Sequence, residues 1–179
     1  MLGVALIASA CGQTGPRVSE QEARELARSF AIALLESPNR EAALRAARPL
    51  AEPVVLEDVE FWWRTPSDDT VSAAEDRFRV VSGPRAGCSP SLTEPFTVWK
   101  DDPCYRFRIV GRPAPDPTNE GAATIGFGTL AVWIRPRGSP PTVGQFLFSG
   151  GFRVCGLAVN CSSAERMLLR RGREWREWP

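Results

Sequence analysis

The hydrophobic period changes once along the chain, and that change constrains the fold more than any other feature. Between residues 19 and 47 apolar side chains recur at helical spacing: Ala23, Leu26, Ala27, Phe30, Ala31 and Leu34, then Ala42, Ala43, Leu44, Ala46 and Ala47. Ser19 and Glu22 make a capping-box pair at the start of the first helix. Ser37-Pro38-Asn39 ends it, Asn39 can cap the second, and Pro49 closes that one. From Pro53 onward the period is two. Val59, Phe61 and Trp63 share one face of an expected strand, with Asp58, Glu60, Trp62 and Arg64 on the other. Phe78 and Val80 alternate with Arg77 and Arg79, and Tyr105, Phe107 and Ile109 alternate with Arg106 and Arg108. Residues 125–134 read as a longer apolar strand with Gly126 and Gly128 as expected bulge sites. Phe146, Phe148, Phe152 and Val154 line one face of the last strand, and a closing helix is expected from Ser162 with a capping box to Glu165. Proline-bearing connections at Gly83-Pro84, 112–117 and 135–141 separate these runs.

Helices first, then strands with one polar face, imply an α+β domain. N-terminal helices pack on a curved antiparallel sheet of about five strands, and a short C-terminal helix follows. This order of elements across residues 19–157 resembles the nuclear transport factor 2-like, or ketosteroid-isomerase-like, fold. A cystatin-like helix-on-sheet fold is the alternative. Residues 19–179 are expected to form one domain, a length that can bury a real core.

Residues 2–10 carry no charge and are too short to span a bilayer as a helix. They suit the apolar region of a secretory signal. Ala8-Ser9-Ala10 followed by Cys11 resembles the bacterial lipoprotein signal, with Ala8 where leucine is usual. The resemblance implies cleavage before Cys11, a lipid on its thiol and a site on the extracytoplasmic face of the cell membrane. Residues 1–10 are then a signal peptide that begins inside a longer one, since the usual opening basic residues are missing. Residues 11–18 are a flexible tether.

Of five cysteines, setting Cys11 aside leaves Cys88, Cys104, Cys155 and Cys161. An even number in an exported domain reads as disulfides. Four cysteines allow three pairings; the local one, Cys88 with Cys104 and Cys155 with Cys161, is the expectation. Neither spacing has the close ligand pairs of a four-thiolate zinc site.

The chain contains no histidine, so the usual triads, histidine metal ligands and proton shuttles are excluded. Thr97 stands three residues before Lys100, the sole lysine, so no S-x-x-K dyad exists. There is no P-loop, dinucleotide fingerprint or EF-hand loop. Asp68-Asp69 and Asp101-Asp102 read as turn residues, and Tyr105 as a packing residue. No catalytic residue, metal site or cofactor is expected, and a net charge of +1 gives no field for nucleic acid.

What remains is a candidate binding face of Trp62, Arg77, Arg79, Arg106 and Arg108, with Asp58 and Glu60 beside the arginines. The expected function is a lipid-anchored envelope module that binds a protein or polysaccharide. The alternative is a small-molecule carrier or small enzyme with a cavity between helices and sheet. A basic C-terminal segment with Trp175 and Trp178 suits either docking on the sheet or lying on a membrane surface.

Overall fold

The computed structural model describes residues 18–63, 78–88, 102–115, 122–136, 140–155 and 160–174. The expected N-terminal helices form as α1 (Glu20–Leu35) and α2 (Arg40–Ala47). Both halves of the Ser19–Glu22 capping box are made, and the Asn39 side chain accepts from the Ala42 amide. Each cap satisfies backbone N–H groups that the first helical turn leaves without partners.

The expected strand around residue 60 is instead a helix, α3 (Pro53–Trp63). Alternation and helical spacing coincide over Val59 and Trp63, but Val55, Val59 and Trp63 at four-residue steps are the buried set. Phe61, which alternation would bury, is 76% exposed. Pro53 occupies the first helical position, where its missing N–H costs nothing, and the Glu52 carbonyl accepts from Val55 and Leu56. The Trp63 indole donates to the Leu34 carbonyl at 3.1 Å and ties α3 to α1.

The sheet has five antiparallel strands: β1 (Phe78–Ala86), β2 (Cys104–Gly111), β3 (Ala114–Pro115), β4 (Ala123–Arg135) and β5 (Thr142–Cys155). β4 pairs with β5 along one edge for its whole length, so β2 and the two-residue β3 share its other edge. β1 pairs with β2 and carries two register shifts near Gly83-Pro84, a cis peptide. Gly126 and Gly128 are not bulge sites, since register runs straight through them; the β4–β5 irregularity falls at Trp133 and Ile134.

The two faces of the sheet are covered differently. The front face, with Tyr105, Phe107, Ile109, Leu130, Val132 and Ile134, packs on α1–α3 through Phe30, Leu34, Val55 and Val59. On the back face Val110, Ile125 and Cys155 pack against Ala164 and Leu168 of α4 (Cys161–Glu174). This helix is capped by Asn160, whose side chain accepts from the Ser162 amide, and not by Ser162 as expected. It also runs through Gly172 to Glu174. Cys88 bonds to Cys104 and Cys155 to Cys161, with Cα separations of 5.8 and 5.0 Å. The first joins the segment after β1 to β2; the second joins β5 to α4. No helix among the described residues is long and apolar enough to cross a membrane.

Candidate functional site

Alternation on β2 sends Tyr105, Phe107 and Ile109 to the front and Arg106 and Arg108 to the back, as expected. Register then decides their company. On β1, Arg85 lies directly opposite Arg106, Ser82 opposite Arg108, and Arg79 opposite Val110. On β4, Ala131 lies opposite Arg106 and Thr129 opposite Arg108, with Ser149 of β5 beyond Thr129. Arg106 and Arg108 are half-buried and Arg85 is exposed. The three therefore form a cationic cluster on the back face, beside the part that α4 covers.

The electrostatics follow from this crowding. Burial, reinforced by the neighbouring Arg106 and Arg85 guanidinium groups, lowers the Arg108 pKa below its ordinary value. Arg108 Nη1 donates to Thr129 Oγ1 at 3.3 Å, which fixes that arm across the β2–β4 ladder. The Nε of Arg106 is buried and makes no hydrogen bond among the described residues. Like charges directly opposite on neighbouring strands oppose pairing.

The candidate face is only partly assembled as the sequence suggested. Arg106, Arg108 and Arg79 share the back face, but Arg79 is paired with Glu165 of α4 and fastens that helix. Trp62 is on the opposite side of the sheet, because residues 53–63 are helical. Its ring packs against Phe78, Phe146 and Phe148 at centroid separations of 6.1, 6.5 and 5.3 Å. Asp58 and Glu60 move with it onto α3, where Glu60 pairs with Arg40. Burial, with Glu57 next to it, raises the Asp58 pKa above the usual carboxylate value. Arg77 and Cys11 lie outside the described residues, as do Asp68, Asp69, Asp101, Trp175 and Trp178.

Arg85 was not among the residues singled out from the sequence. Gly83-Pro84 reads as a break, yet β1 continues to Ala86. Arg85 stands six residues after Arg79, and the register shifts around Gly83-Pro84 hide its alignment with Arg106. Tyr105 is buried and its hydroxyl donates to the Glu20 carbonyl at 3.2 Å, which docks the start of α1 on β2. Burial, then Glu20, raises its pKa. Between helices and sheet, Phe30, Leu34, Phe107, Ile109 and Leu130 are fully buried and occupy that layer. Among the described residues no group of three or more Cys, Asp and Glu side chains could hold a metal ion.

Compared with known proteins, the chain matches no family model, no curated protein and no solved structure.

Proposed function

We propose that the chain is a lipid-anchored, extracytoplasmic binding module of a bacterial cell envelope, whose back sheet face captures an anionic partner. One observation carries the binding reading: Arg85, Arg106 and Arg108 meet across β1 and β2 on a face that α4 covers in part. Guanidinium groups are weakly hydrated planar forks suited to carboxylate and phosphate recognition. With Arg106 and Arg108 half-buried and the exposed Arg85 beside them, the groups favour an anionic partner electrostatically. The anchoring reading is supported by the small residues before Cys11 and by the four remaining cysteines closing two disulfides, as exported domains do.

The test has two arms. Mass spectrometry of the native protein should give a mature N-terminus at Cys11 carrying acyl mass; an unmodified Met1 terminus removes the anchor. Separately, the full chain with Cys11→Ser is mixed with isolated bacterial envelope. Retention should fall at least about fivefold when Arg106→Gln and Arg108→Gln are introduced together, the loss expected for charge-assisted contacts. Unchanged retention, with an unchanged melting temperature, rejects the arginine face as the capture surface.

A further inference from the structure

Taking from the reading above only that the chain works beside a membrane, we infer that the outward face of α4 docks on an anionic lipid bilayer. Ala164 and Leu168 hold α4 against the back of the sheet. Residues three and four apart share a helix face, so the opposite side presents Arg166, Arg170 and Arg173. All three are exposed, along about 10 Å of helix. Arg171 flanks them, half-buried. The fold compensates these charges only in part. Glu165 is taken by Arg79 of β1, and Glu174 by Arg170 at 3.2 Å. Among the described residues Arg166 donates to the Ser163 hydroxyl alone, and Arg171 and Arg173 make no hydrogen bond or ion pair. Cations in the last turn complement the helix dipole, which accounts for Arg171 and Arg173. It does not account for Arg166, which stands in the first half of the helix.

Shape and charge select the partner. The exposed side of a single helix is convex, so its arginines meet a broad surface and not one enclosed ligand. An anionic bilayer offers many phosphates in one plane, and guanidinium forks match phosphate geometry. A net charge of +1 supplies no long-range pull, so the attraction acts locally and is screened by salt. The molecule is also polarised. Residues 18–63, the helical layer on the front face, hold nine Asp and Glu against five Arg. An anionic surface therefore repels that layer and draws α4.

The test uses the full chain with Cys11→Ser, so that no acyl chain contributes, sedimented with vesicles of phosphatidylglycerol or of phosphatidylcholine. The chain should sediment with phosphatidylglycerol and not with phosphatidylcholine, and the bound fraction should fall as salt rises. Each arginine near an anionic surface strengthens binding about fivefold, so Arg166→Gln with Arg173→Gln should weaken it about 20- to 30-fold. Arg166→Gln alone, away from the helix C-terminus, should weaken it about fivefold with an unchanged melting temperature. Arg28 on α1 and Arg48 at the end of α2 are exposed in the acidic layer. Arg28→Gln with Arg48→Gln changes the net charge equally and should leave binding as it was. Docking is refuted by sedimentation with neither lipid, by equal sedimentation with both, or by an equal loss from the Arg28 and Arg48 pair. Arginine-dependent retention on a polyglutamate resin without vesicle binding also refutes it, and assigns the face to an acidic polymer. The anchor fails separately. Phosphatidylglycerol binding with an unmodified Met1 terminus on the native protein leaves the α4 face standing and rejects the anchor. An acylated Cys11 with no vesicle binding by the Cys11→Ser chain keeps the anchor and rejects the α4 face.

Discussion

Trp62 shows how one side chain changes meaning with its element. On a strand it would stand among charges; on α3 it turns its ring onto Phe78, Phe146 and Phe148. Its role is packing, so Trp62→Ala should destabilise the fold by about 2–4 kcal/mol, near the lower end for buried aromatics because the ring is only partly buried. Chemical denaturation reads this, and envelope capture by the folded fraction should be unchanged. Gly150 is a second residue whose identity is dictated by its surroundings. It faces Gly128 across β4 and β5, and the Phe148 ring lies over the pair. A Cβ at Gly150 would stand 2.7 Å from that ring and closer still to the Phe127 carbonyl oxygen, which is backbone and cannot swing aside. Gly150→Ala should therefore cost about 1–3 kcal/mol, the range for overpacking. A melting temperature equal to the parent's would contradict the close approach. Neither result was legible beforehand: Gly128 read as a bulge site because a glycine in a strand signals either a bulge or a close neighbour, and only register separates the two.

At the scale of elements, legibility followed local chemistry. α1 and α2 were readable because their caps and spacing act within a few residues. β2 was readable because Arg106 and Arg108 alternate with Tyr105, Phe107 and Ile109 without a break. α3 was misread because Val59 and Trp63 fit both periods, and the choice is made by burial against α2 and β5, which sequence spacing does not contain. The arginine cluster was half legible for the same reason. Its β2 members announced themselves, whereas Arg85 depends on a strand that passes through a Gly-Pro step. The α1 cap makes a prediction at this scale. The Glu22 carboxylate accepts from the Ser19 hydroxyl and amide at 2.7 and 2.9 Å, and these bonds lower its pKa below the ordinary value of 4.5. The folded pKa is depressed, so the cap's contribution is complete above the unfolded value and is lost as pH falls through the folded one. Amide exchange in the first turn of α1 should accelerate as pH drops below 4.5, beyond the intrinsic pH trend. Glu22→Gln should abolish that dependence, because glutamine can still reach back to the Ser19 amide but does not titrate. Identical pH profiles for the two chains would refute the linkage.

At the scale of the molecule, the sheet separates two jobs: α1–α3 build the core on one face, and α4 with two disulfides shapes the other. The disulfides fasten different places. Cys88–Cys104 packs with Ala131 and Trp133 at the end of the back face next to the Arg85–Arg106 pair. Cys155–Cys161 packs with Val110, Ile125 and Leu168 under α4. They close loops of different length, with sequence separations of 16 and 6. Loop-closure entropy then gives about 3 kcal/mol for the first and about 2 kcal/mol for the second. Because the two belong to separate packing clusters with no residue in common, their removal should be additive within about 0.5 kcal/mol. Paired cysteine-to-serine replacements, singly and together, test this by denaturant midpoint. A larger stability loss from the shorter loop would show that the disulfides act through native contacts shared across the back face and not through two independent loops.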